Sequence, residues 1–201
     1  ILGSTYAGVA HLTDEACKTY AQEIANYCEV HNLDGVFFDD EYTDYWEYPG
    51  LTSPSTAHAA RLCYETKMAM PDKLVTCYMY TRTYGFYDEI EGVEPGDFVD
   101  YGINDYGRWY DESYYLGMER TQIAPGSANF AEAYAKWTAT PENLQTVRND
   151  GYGAFMVTVL PPTRPYGQKN LSLSRTLHSI FMTMFLWIPV TDQNAHGNIF
   201  R

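Results

Sequence analysis

The chain has 201 residues, 45% of them hydrophobic and 19% charged, with a formal net charge of −13. Such a composition excludes an intrinsically disordered chain and is enough for one domain, residues 1–201, with a sizeable core. The negative charge argues against nucleic acid or an anionic membrane surface as partner and is compatible with a neutral ligand such as a sugar. Tyrosine is unusually abundant, with 19 Tyr beside 4 Trp and 9 Phe. Its apolar face and polar tip suit a sugar cleft and a Tyr-rich core alike, so composition does not choose between them.

In chain order, Ile1-Leu2-Gly3 reads as the end of a strand. Thr13 can cap a helix whose first turn holds Asp14 and Glu15, where the helix dipole favours acids. That helix shows an apolar stripe at Cys17, Tyr20, Ile24, Tyr27 and Cys28. A strand follows at 33–39. The next helix starts after Ser53-Pro54 and ends before Pro71. Strands are expected at 73–80, at 98–103 after the turn Glu94-Pro95-Gly96-Asp97, and at 121–124 before Pro125-Gly126. A helix over 130–149 is expected to break before Pro141. A strand at 153–159 and a last helix at 171–187 complete the pattern.

Strands alternating with helices indicate a parallel α/β architecture. Six strands, the first truncated, fall short of a TIM (β/α)8 barrel, which needs about 250 residues. The shortfall is about two β/α units and lies at the N-terminus. Further N-terminal residues or a second chain would complete the barrel. The longest apolar run, residues 177–190, contains His178, Ser179, Thr183 and Pro189 and is too short and interrupted for a membrane span. The chain starts at Ile1, so the lack of a signal peptide says nothing about export. Cys17, Cys28, Cys63 and Cys77 form no C-x-x-C pair and read as buried free thiols. His11, His31, His58, His178 and His196 show no metal-ligand spacing, so neither metal nor cofactor is expected.

The residues with most chemical content are Leu33-Asp34-Gly35-Val36-Phe37-Phe38-Asp39-Asp40-Glu41-Tyr42. Strand side chains alternate, so Phe37, Asp39 and Glu41 share one face and Phe38 and Asp40 the other. An ionised carboxylate raises the pKa of its neighbour, and a protonated Glu beside an ionised Asp can act as a general acid. The bland alternative is a solvated or calcium-binding acidic loop. Tyr42, Tyr45, Trp46 and Tyr48 crowd the loop that leaves this strand, as stacking platforms for sugars would.

This segment resembles the D-G-x-D-x-D-x-E signature of glycoside hydrolase family 18, and in particular its bacterial endo-β-N-acetylglucosaminidases. Asp34, Gly35, Asp39 and Glu41 match the signature. Weaker likenesses follow in order: Met70-Pro71-Asp72-Lys73, then Asp100-Tyr101-Gly102-Ile103-Asn104-Asp105-Tyr106-Gly107-Arg108-Trp109, then Asp150-Gly151-Tyr152-Gly153. The resemblance implies a secreted, periplasmic or cell-surface bacterial enzyme acting on N-glycans without a cofactor. It implies a substrate-assisted mechanism, an exception to the two-carboxylate scheme. Glu41 would be the general acid/base and Asp39 the partner that orients the 2-acetamido group. Asn104 and Tyr106 would hold that group. Tyr42, Tyr45, Trp46, Tyr78 and Trp109 are the expected sugar contacts, with Arg82 and Arg108 nearby.

One position departs from the signature: the first Asp of D-x-D-x-E is Phe37 here. Two rival functions stay open. A chitinase of the same family usually carries S-x-G-G and M-x-Y-D, where this chain has Leu2-Gly3-Ser4-Thr5 and Ile103-Asn104-Asp105-Tyr106. A non-catalytic sugar-binding relative typically lacks the acid Glu, which is present as Glu41.

Overall fold

The computed structural model describes residues 1, 3, 8–45, 51–104, 114–125, 127–129, 141–158 and 184–186. The first helix, α1 (Asp14–Val30), begins where Thr13 Oγ1 accepts the Ala16 N–H at 3.2 Å. Its inward stripe is Cys17, Ala21, Ile24, Ala25 and Cys28. Tyr27, expected on that stripe, is 60% exposed and packs its ring against His31 with 4.2 Å between centroids. Asn32 then turns the chain with φ 51°, a left-handed value Asn tolerates, and leads into β1 (Gly35–Phe38).

Helix α2 (Thr56–Ala69) is capped by Ser55, whose Oγ accepts the His58 N–H at 3.2 Å. Strand β2 (Leu74–Tyr78) follows. A short helix α3 (Pro95–Phe98), with Pro at its first turn, takes the beginning of the expected strand at 98–103, and β3 is Tyr101–Ile103. Residues 120–122 form a 3-10 turn ahead of β4 (Ile123–Ala124). Strand β5 is Ser127–Asn129, α4 is Pro141–Asn149 and β6 is Phe155–Thr158. Pro141 thus opens a helix, where its missing N–H costs nothing. The rest of the helix expected at 130–149 lies outside the described residues.

Strands β1 to β4 form a parallel sheet in sequential order. Ile1 and Gly3 extend it beyond β1: Asp39 N–H donates to Ile1 O at 2.9 Å, and Gly3 N–H donates to Asp39 O at 2.5 Å. A second sheet has the order β5-β6-β7, where β7 (Met184–Leu186) runs antiparallel to β6. This corrects the helix expected at 171–187, at least at residues 184–186. A short apolar run has the same appearance in a buried strand and a buried helix, so periodicity could not separate them. A closed barrel is not seen among the described residues.

The register explains how the sheet packs. Phe38, Cys77, Gly102 and Ile123 lie level across four strands and point to one face. Phe38, Cys77 and Ile123 are fully buried there, in one core with Cys17 and Cys28 of α1 and Leu62 and Cys63 of α2. The opposite face carries Phe37, Ile103 and Ala124, which form a smaller apolar cluster with Ala154. Two glycines mark close backbone approaches. A Cβ at Gly35 would run into the Leu74 carbonyl, and one at Gly153 into the Thr121 carbonyl. Lys67 Nζ ties α2 to the sheet by donating to both Asp100 oxygens at 3.0 Å, while Asp100 Oδ2 accepts the Val75 N–H at 2.7 Å.

All four cysteines are buried and free, as expected; Cys63 and Cys77 place their sulfurs 3.4 Å apart. Among the described residues no helix is long and apolar enough to cross a membrane, and no group of three or more His, Cys, Asp or Glu could hold a metal ion.

Candidate active site

The alternation expected for residues 37–41 is seen in their burial. Phe38 and Asp40 are buried at 0% and 2% exposure, while Phe37, Asp39 and Glu41 are half-buried. Asp39 therefore leaves the C-terminal end of β1 on the face of the smaller cluster, opposite the helices, and Glu41 follows in the bend just beyond it. The parallel pairing Phe37↔Thr76 and Phe38↔Cys77, carried one residue further, sets Asp39 level with Tyr78. On this face the rings of Phe37 and Tyr78 lie 6.4 Å apart, and Tyr78 stacks on Tyr80 at 5.4 Å and 19°. Tyr78 is itself 3% exposed, so Tyr80 carries the more open end of this ladder. Tyr80 was not singled out in the sequence; its signal is the same two-residue spacing from Tyr78 that relates Asp39 to Glu41.

Behind the pair, Asp40 points the other way into a set of hydroxyls. Tyr45 Oη donates to its Oδ1 at 2.6 Å and Thr43 Oγ1 donates to the same oxygen at 3.1 Å. Thr81 Oγ1, from the loop after β2, donates to the Asp40 carbonyl at 2.5 Å and lies 3.4 Å from Oδ2. Tyr45 Oη also accepts the Ala10 N–H at 3.1 Å. Burial first, then the bond to Asp40 and its charge, push the Tyr45 hydroxyl well above its usual pKa, so it stays a donor. His11 meets the Tyr45 ring edge-on at 5.3 Å. Burial lowers the His11 pKa against the opposing pull of Asp40.

The expected sugar contacts divide accordingly. Tyr42 is 60% exposed in the loop leaving β1. Tyr45 has its hydroxyl engaged inside the protein, bonded to Asp40 and Ala10. Asn104 follows β3, is 1% exposed, and donates its backbone N–H to Ala124 O at 2.9 Å. Trp46, Tyr106 and Trp109 lie outside the described residues, as does Arg108. Sequence reasoning set Asp40 on the face of Phe38 but gave it no role, and it missed Thr81, since nothing local announces a Thr 41 residues further on.

A carboxylate pair at the C-terminal edge of a parallel sheet, on one face with aromatic rings, can protonate a leaving oxygen and stabilise positive charge beside a sugar. That chemistry is what glycoside hydrolysis requires.

Descent agrees with this class. No family model matches the chain. It is 44% identical over 161 residues to endo-beta-N-acetylglucosaminidase F1 of Elizabethkingia meningoseptica, covering 79% of this chain and 47% of that protein. It is 26% identical over 161 residues to an endo-beta-N-acetylglucosaminidase of Flavobacterium sp. (strain SK1022), covering 77% and 48%. The chain therefore spans about half the length of the curated relatives it matches. Two crystal structures of Bacteroides thetaiotamicron EndoBT-3987 are similar to it. The complex with Man5GlcNAc product gives a TM-score of 0.65 at 39% identity, covering 75% of this chain and 35% of that one. The complex with Man9GlcNAc2Asn substrate gives 0.67 at 37%, covering 77% and 38%. By descent the chain is homologous to these endo-β-N-acetylglucosaminidases over the matched residues.

Proposed function

We propose that the protein hydrolyses the β-1,4 bond between the two GlcNAc residues of the N-glycan core, on high-mannose glycans, by a substrate-assisted retaining mechanism. What supports this reading is the chain's homology to such enzymes together with Asp39 and Glu41, both half-buried just past the end of β1. That EndoBT-3987 has been crystallised with Man9GlcNAc2Asn and Man5GlcNAc supports the glycan class.

In this reading the 2-acetamido carbonyl of the substrate attacks the anomeric carbon as Glu41 gives its proton to the leaving oxygen. Asp39 orients the acetamido N–H and stabilises the positive oxazolinium. Glu41 then takes a proton from the water that opens it, which restores the starting state and retains the configuration. Asn104 and Tyr106 help to hold the acetamido group, Tyr42 and Tyr80 offer rings to the glycan, and the four parallel strands are part of a (β/α)8 wall. Nothing in this scheme calls for a cofactor. We place the enzyme outside the cytoplasm, where N-glycans are met.

The test is digestion of a high-mannose glycoprotein, with mass spectrometry of both products. One GlcNAc left on each asparagine is expected, with Glu41→Gln inert and Asp39→Asn strongly reduced. Glycan binding without cleavage, unaffected by Glu41→Gln, would instead identify a sugar-binding relative. Preferential cleavage of chitin oligomers would identify a chitinase.

A further inference from the structure

We propose that Asp40 is a positioning residue for Glu41: its buried carboxylate, clasped by Tyr45, Thr43 and Thr81, holds the turn after β1 so that Glu41 faces the open side. The proposal rests on the hydrolase reading of Glu41 given above.

The β1 ladder ends at Phe38, with a single further bridge at Asp39. Beyond that point side chains must hold the backbone. Asp40 does so in two directions. Its Oδ1 gathers Thr43 and Tyr45, three and five residues on, which closes the turn that contains Glu41. Its carbonyl and Oδ2 face Thr81, which binds this turn to the loop after β2 that also bears Tyr80. The acid/base residue and an aromatic ring of the open face are thereby fixed to one another.

Two independent features say that the clasp is built rather than incidental. The first is its tightness. A Cβ at Gly3 would run into Thr43 Oγ1 and come within 3.2 Å of Asp40 Oδ1, and a Cβ at Gly8 would run into the Tyr45 hydroxyl. The second is strain. Thr81 has φ 43°, a left-handed value that a β-branched residue rarely adopts. Strained backbone persists where surrounding contacts over-determine it, and such residues cluster at functional sites. The contacts that hold Thr81 there include those to Asp40. A residue serving stability alone has no reason to sit in a strained conformation that glycine would relieve.

The experiment compares Asp40→Ala, Asp40→Asn and Thr81→Gly in the full polypeptide, on a Man9GlcNAc2 glycopeptide, with rates expressed per folded molecule. Asp40→Ala is expected to lower kcat about 100-fold with KM within about twofold, the scale of a roughly 1 Å misplacement of a catalytic group. Asp40→Asn is expected to recover to within about tenfold of wild type with unchanged pH limbs. Its amide oxygen keeps the Tyr45 and Thr43 bonds, and its N–H can donate to Thr81 Oγ1. Thr81→Gly relieves the strain while removing the hydroxyl, so the melting temperature is expected to hold while kcat falls about tenfold. A purely structural role predicts the opposite: kcat per folded molecule unchanged, with losses only in the folded fraction. That result overturns the proposal, as does a raised KM at unchanged kcat. If Asp40→Ala does not fold, the other two variants decide. If wild type releases no glycan, or Glu41→Gln still turns over, the hydrolase reading fails by itself. The clasp is then decided by the crystal structure of Thr81→Gly, where an unmoved Glu41 carboxyl overturns it.

Discussion

Replacing Phe37 by Asp would restore the carboxylate that the family signature carries at this position, and the structure gives the consequence. Phe37 is half-buried against Ile103, Ala124 and Ala154, with the Tyr78 ring 6.4 Å away. Fully burying a Phe is worth about 1.5–3 kcal/mol, so its loss at this half-buried site costs about 1. A carboxyl set against the same apolar wall adds the cost of an unsatisfied polar group, about 1–3 kcal/mol. The expected total is about 2–4 kcal/mol near neutral pH. Phe37→Leu, which keeps the site apolar, should cost less than about 1.5 kcal/mol. The Asp penalty also has a pH signature. The apolar wall and the neighbouring Asp39 both raise the pKa of the new carboxyl in the fold above the ~3.9 of the unfolded chain. Above that value the unfolded state holds fewer protons than the folded one, so stability falls as pH rises until the folded pKa is passed. Urea unfolding at about pH 4, 5.5 and 7.5 should show the gap between Phe37→Asp and wild type widening with pH. A gap independent of pH, or no larger than that of Phe37→Leu, would refute this account of the face beneath Asp39.

Three further outcomes are expected. Asp100→Ala removes the acceptor of Lys67 and of the Val75 N–H; in denaturant unfolding it should cost about 2–3 kcal/mol, with Asp100→Asn nearer 1 because an amide oxygen can still serve Val75. Burial, then Asp14 and Glu65, push the Cys17 thiol up to about 12, and burial raises Cys28 and Cys63 as well. An aromatic disulfide reagent at about pH 8 should leave native protein nearly unmodified and titrate all four thiols after denaturation. The lowered pKa of His11 means that the unfolded chain takes up its proton first as pH falls below about 6.5. The stability due to neutral His11 is present above that value and lost as pH falls through the window beneath it. Wild type should therefore lose stability relative to His11→Phe between about pH 6.5 and 5.

What the sequence made legible follows from where the determining contacts lie. Helix α1 is readable because Thr13, Asp14 and Glu15 act within one turn and its stripe is local. Tyr27 was misplaced because it sits at the border of that stripe, where a ring can turn outward onto His31. The face of Asp39 is readable because a period of two needs only the strand itself, whose last bridge is at Asp39. Asp40 is not, because its burial depends on Tyr45, Thr43 and Thr81 folding over it. Tyr45 illustrates the same limit. An aromatic in a mouth loop suits a sugar or the protein interior, and only the position of its hydroxyl partner decides. At residues 184–186 the run Met-Phe-Leu carries no periodicity that separates helix from strand, and its pairing partner is β6.

Three consecutive acids at the end of a strand would ordinarily repel one another into solvent. Here Asp40 is buried while the acids on either side of it are half-buried. A buried carboxylate is costly unless hydrogen-bonded, and the hydroxyls around Asp40 supply bonds worth about 1.5–3 kcal/mol each to a charged acceptor. That compensation is available only at the strand's end, where the regular ladder has stopped and loop side chains from β1 and β2 can converge. Past Asp39, whose N–H and carbonyl still bond Ile1 and Gly3, the ladder stops, and Asp40 holds the turn from the rear. In the proposed reading the middle acid holds the turn that carries the outer two.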